Sequence, residues 1–188
     1  MMTLVFMLEE PSAKEMLKGL LPHVLPESVS VLYQVFEGKQ DLDKRVEGRL
    51  RHWLTPNTYF VVVRDQDSSN CIEVKNALVA KCENAGKPDA LVRIACRELE
   101  SWYLGDLQAV EAGLGLRNLA QHQNKAKYRE PDALGNPAEE LEKLTDDAYQ
   151  KKSGSRAIGP HLNPDNTRSR SFAVFVSGIR RLVSGASA

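Results

Sequence analysis

The stretch RDQDSSN (64–70) follows a run of β-branched and aromatic residues, TYFVVV, and sets Asp65 and Asp67 one residue apart. Three more apolar runs end in acid. TLVFML (3–8) leads into Glu9-Glu10, VSVLYQVF (29–36) into Glu37-Gly38-Lys39, and ALVRIAC (90–96) into Arg97-Glu98-Leu99-Glu100. A single acid after a strand is an ordinary helix cap. Four together, brought to one place, would repel, each pushing its neighbours' pKa upward. A divalent cation would relieve that repulsion. All-oxygen ligands, with no Cys or His at the matching positions, favour magnesium or manganese over zinc.

Whether the acids meet depends on the elements that carry them. Short, fully apolar runs alternate with helical patterns, which argues for a parallel sheet of about four strands with helices on both faces. Pro11 and Ser12 open a helix with Met16, Leu17, Leu20 and Leu21 on its apolar face. Residues 41–54 form a second helix. A third, capped by Ser68 or Ser69, buries Val74, Leu78 and Cys82 and stops at Gly86-Lys87-Pro88. RELESWYLGDLQAVEAG (97–113) reads as one helix. Beyond Gly115 the pattern weakens: 117–136 is loop-like, 138–150 helical, 153–168 a Gly/Pro/Asn-rich connection, and 171–183 a terminal amphipathic helix. The expectation is one α/β domain over 1–188, with a core at 1–115 and a mostly helical extension at 116–188.

In an open parallel sheet all strand C-termini reach one rim, where ligands bind. Alternation along a strand predicts that Asp65 and Asp67 project together while Gln66 points away, with Glu9 supplying a second acidic prong. If a helix has begun by residue 98, Glu98 and Glu100 diverge by about 200°. One of the two then reaches the metal, and spacing does not say which.

Composition limits the rest. The 188 residues are 42% hydrophobic and 27% charged, and no apolar run approaches a membrane span. The start MMTLVFMLEEPS lacks a basic segment, a long apolar stretch and a small-residue cleavage site. Three cysteines, Cys71, Cys82 and Cys96, suggest neither a disulfide framework nor zinc, so a cytoplasmic setting is expected. Net charge is zero, but residues 149–188 carry seven basic side chains against one acid, and residues 1–148 are correspondingly acidic. A basic tail of this kind is either a solvated helix or a surface for phosphates.

An acid after one strand with an acid-x-acid pair after a later one resembles the Toprim superfamily, the catalytic fold of topoisomerases, primases and nucleases linked to overcoming-lysogenization-defect ATPases. LEEPSAKEML, FEGKQDL, FVVVRDQDSSNC, VRIACRELESWYLGD and RSRSFAVFVSGIRRL together resemble a bacterial family known as domain of unknown function 4276. The resemblance implies a Toprim/Rossmann-like fold and magnesium- or manganese-dependent phosphodiester cleavage of nucleic acid. It makes Glu9, Asp65 and Asp67 the catalytic residues, with Glu9 as general acid or base, and Asp65 and Asp67 as metal ligands alongside Glu9 and Glu98 or Glu100. Glu10 stands where the superfamily has glycine, so either glutamate fits the first role. Lys39, Arg64, Arg97, Arg168 and Arg170 are then candidates for phosphate contacts. The resemblance also implies an ATPase partner; the chain has no phosphate-binding GxxxxGK[ST] loop of its own.

Two rival readings share the same pattern. One is a non-catalytic module whose metal or acidic rim docks an ATPase. The other is a phosphorelay receiver, which needs a hydroxyl residue after the fourth strand, where this chain has Arg97-Glu98, and a lysine after a fifth. Trp102, Tyr103 and the terminal helix offer an apolar surface for a homodimer.

Overall fold

The computed structural model describes residues 2–186. Four strands, β1 (Met2–Leu8), β2 (Val29–Val35), β3 (Thr58–Asp65) and β4 (Leu91–Ala95), form one sheet in the order β2-β1-β3-β4, with every pairing parallel. The chain steps outward from β1 to β2, then crosses back to build β3 and β4 on the other side. Strand order therefore reverses between β1 and β3, and the crevice beyond their carboxyl ends is where such sheets take ligands.

Both sheet faces are covered. Val5, Met7, Phe60, Val62, Val92 and Ile94 pack against helices α2 (Lys39–Arg51) and α3 (Cys71–Asn84). Leu4, Phe6, Leu8, Val61, Val63 and Ala95 point the other way, into a larger core. That core is closed by α1 (Pro11–Leu20), α4 (Glu100–Leu104), α5 (Leu107–Leu114), α6 (Pro137–Leu144), α7 (Lys151–Ile158) and α8 (Arg170–Ala186). Apolar runs buried on both faces explain why the strands read as continuous rather than alternating.

Several expected boundaries differ, each for a local reason. The cap of α3 is Asn70, not Ser68 or Ser69; its side chain accepts from the backbone N–H of Ile72 and Glu73. The single helix expected over 97–113 is two, because Asp106 caps a new helix by accepting from Ala109 N–H at 3.2 Å. The helix expected over 138–150 stops at Leu144, since Asp146 and Asp147 both adopt left-handed backbone (φ 51° and 60°). The connection expected over 153–168 opens instead with α7, whose Lys151 start precedes that span. Trp102 and Tyr103 supply no dimer surface: they are 1% and 0% exposed, and Trp102 stacks on Phe175 of α8 at 4.8 Å between ring centroids. Among the described residues no helix is long and apolar enough to cross a membrane.

Helix α7 lies directly on α1. Arg156 Nε donates to Glu15 Oε2 at 2.7 Å, and the turn that follows α7 approaches α1 so closely that a Cβ on Gly19 would fall 2.4 Å from the Pro160 ring. Gly19→Ala is therefore expected to cost about 1–3 kcal/mol in urea unfolding through overpacking. Gly48→Ala, at a position in α2 with open space around it, should instead gain about 0.5–1 kcal/mol.

Candidate functional site

The carboxyl ends of β1 and β3 lie side by side, with Leu8 in register with Val63. One residue on, the Glu9 carboxylate reaches across and its Oε2 accepts from the Asp65 backbone N–H at 3.0 Å. Glu9 thus binds the adjacent strand end while lying almost wholly buried. Burial raises its pKa; the Asp65 N–H opposes that shift, and the charges of Asp67 and Glu10 add to it.

Asp65 shares the sheet face of Val61 and Val63, so it turns toward the helical layer rather than toward α2. Among the described residues no donor hydrogen-bonds its carboxylate. Burial pushes its pKa well above the usual range, and the charges of Glu100, Glu9 and Glu10 push it further, with Lys151 opposing. Glu100, the first residue of α4, is fully buried. Tyr149 Oη donates to its Oε1 at 2.7 Å, while Oε2 has no hydrogen-bond partner among the described residues. Burial raises the Glu100 pKa too, against the pull of the Tyr149 hydroxyl and Lys151. Glu10 completes the group, paired at 2.8 Å with Lys151 Nζ. Burial works against the Lys151 charge, but Glu10, Glu100 and Asp65 outweigh it and raise its pKa.

Three carboxylates, Glu10, Asp65 and Glu100, therefore face one ammonium, with Glu9 bonded to the Asp65 backbone beside them. Behind them lies a buried hydroxyl chain. Tyr103 Oη donates to Ser155 Oγ at 2.8 Å, and Ser155 Oγ donates to the Lys151 carbonyl at 2.6 Å. Gly154 lies under the Tyr149 ring, where a Cβ would come within 2.5 Å of it. The glycine that makes this segment look like a loop is what lets Tyr149 reach Glu100.

The remaining expected site residues do not face Lys151, although Asp67 stays within electrostatic reach of Glu9. Strand alternation ends at Asp65, and Asp67 takes a left-handed conformation (φ 54°) that sends its carboxylate to Lys39 Nζ at 2.7 Å. Glu98 accepts from the Ala138 N–H at 2.8 Å, at the start of α6. Of the pair left open by spacing, Glu100 is thus the one beside Asp65. The turn between them owes its shape to Arg97, also left-handed (φ 62°), whose Nη1 donates to the Asp67 carbonyl at 3.4 Å. Arg64 is turned away from the rim: it is buried against α2 and pairs with Asp43 at 3.1 Å. Lys39 and Arg97 stand at the rim, and Arg168 and Arg170 are exposed on the segment entering α8. Lys151, Tyr149 and Ser155 escaped notice in the sequence. The signal was there in a tyrosine set two residues before a Lys-Lys pair, with a serine one helical turn beyond Lys151.

Comparison with known families matches residues 8–180 to a domain of unknown function (DUF4276). The chain belongs to this family. No curated protein and no solved structure matches it. In this DUF4276 chain the match runs from the last residue of β1 into α8, so it takes in every residue of the acidic crevice.

No group of three or more Asp, Glu, His or Cys side chains among the described residues is arranged to hold a metal ion by itself. Magnesium commonly takes one or two carboxylates and completes its shell with water and substrate phosphate, so a site for it needs fewer protein donors than a preformed cage. The open Asp65 carboxylate and the unpartnered Oε2 of Glu100 are suitable donors.

The raised carboxyl pKa values have a stability consequence of definite sign. Below about pH 4, near the unfolded-state carboxyl pKa, Asp65 and Glu100 are protonated whether folded or not. Above it the unfolded chain releases protons that the folded chain retains, so stability falls as pH climbs toward the raised folded values. Asp65→Asn should remove part of that slope. Thermal melts in EDTA are expected to show the variant melting a few degrees above wild type at pH 7 and no higher at pH 4.

Proposed function

We propose that the chain cleaves phosphodiester bonds in nucleic acid with magnesium or manganese bound in the crevice beyond β1 and β3. The observation that carries this reading is the open Asp65 carboxylate beside the buried Glu100, whose Oε2 has no hydrogen-bond partner among the described residues. A buried carboxylate oxygen left without a donor costs about 1–3 kcal/mol or more, and a cation would relieve that cost. Asp65 and Glu100 would hold the ion. Bound there, it supplies charge neutralisation at the scissile phosphate and the leaving oxygen.

The chain's own groups account for the remaining roles. Glu9, its pKa raised by burial, positions the attacking water and accepts its proton through the oxygen not engaged by Asp65 N–H. Lys39 and Arg97 stand at the rim, where they can meet phosphates and offset the repulsion between an acidic crevice and a polyanion. Asp67 holds Lys39 there in the free protein. The resemblance to Toprim nucleases supports this assignment, and an ATPase partner is proposed on that resemblance alone.

Incubation with single-stranded, nicked and duplex DNA, and with RNA, in magnesium or manganese tests the reading. Wild type is expected to cleave at least one of these substrates, and EDTA to stop it. Asp65→Asn should lower the rate by about a hundredfold or more. Ion uptake by calorimetry without cleavage, with the ATPase partner present as well as absent, would overturn catalysis and leave a docking module.

A further inference from the structure

The crevice already contains one cation, and it belongs to the chain. Lys151 Nζ sits 2.8 Å from Glu10 Oε2 and within electrostatic reach of Glu100 and Asp65. Its side chain is 45% exposed, so it is seated at the mouth of the site rather than locked in the core. Helix α7 fixes where the stem begins. Arg156 ties that helix to Glu15, and Ser155 bonds the Lys151 carbonyl, while among the described residues the ammonium itself is held by Glu10 alone. A lysine on a flexible four-carbon stem can leave one carboxylate without moving its backbone.

We propose that Lys151 is a built-in counter-ion that competes with a divalent cation for the acidic crevice, so that ion uptake displaces its ammonium from Glu10. The inference rests on the reading that the crevice takes such an ion. The physical basis is that a dication beside Asp65 and Glu100 satisfies the same charges that attract Lys151. Two cations a few ångströms apart also repel by more than an exposed ion pair returns.

Isothermal titration of MnCl2 and MgCl2 into wild type, Lys151→Met and Lys151→Arg tests the competition. Lys151→Met is expected to bind manganese about tenfold more tightly than wild type, and Lys151→Arg to stay within about twofold of it. If Lys151→Met binds no more tightly than wild type while wild type does bind, the counter-ion role is overturned and the ion site stands. If neither protein binds, the ion site itself is overturned and the inference with it. Thermal melts guard against a misfolded variant: without metal Lys151→Met should melt below wild type, and saturating manganese should raise its midpoint by more than it raises the wild-type midpoint. An equal gain in both proteins would also overturn the proposal.

Discussion

Carboxylates that share a poorly hydrated crevice raise one another's free energy, and most of the structure around β1 and β3 can be understood as a response to that fact. Desolvating an ion costs several kcal/mol, whereas a hydrogen bond to a charged group returns about 1.5–3 kcal/mol and a partly exposed ion pair less than about 1 kcal/mol. Glu9 takes a backbone N–H, Glu10 an ammonium and Glu100 one tyrosine hydroxyl. Among the described residues no donor reaches the Asp65 carboxylate. The partners are too few to offset burial, so the carboxyl pKa values of Glu9, Asp65 and Glu100 stay raised. Strain of this kind, concentrated at the switch point of a parallel sheet, is characteristic of a site built to receive something.

The two layers of helices share this work unequally. The α2/α3 layer closes an apolar core and sends one side chain, Lys39, to the rim. The opposite layer carries nearly all the polar support. Glu100 enters on α4, Tyr149 and Lys151 on the segment that starts α7, and Tyr103 and Ser155 join them behind the crevice. This arrangement depends on close approach, for which Gly19 leaves room against Gly159-Pro160 and Gly154 leaves room under the Tyr149 ring.

The strands, their parallel sense and the acids at their ends were legible because a buried parallel strand has an unmistakable composition and because topology dictates where its end must point. Glu9 and Asp65 followed from that alone. Asp67 and Arg97 did not, since left-handed backbone at a non-glycine residue cancels the alternation on which any spacing argument relies. Arg64 was misplaced for a related reason: inside β3 its side chain must take the face opposite Asp65, toward Asp43. Helix α7 was hidden by its own packing device. Gly154 lowers helix propensity, yet its missing Cβ is what the Tyr149 ring requires.

The pairing of Glu10 with Lys151 spans most of the chain, and it implies an order of events during synthesis. The acidic strand ends leave the ribosome before the lysine and tyrosine that complement them. Until α7 docks on α1, a nascent sheet would present uncompensated negative charge at its rim and an uncovered apolar face beside it. Docking of α7 on α1 therefore covers the apolar face and brings Tyr149 and Lys151 to the crevice together.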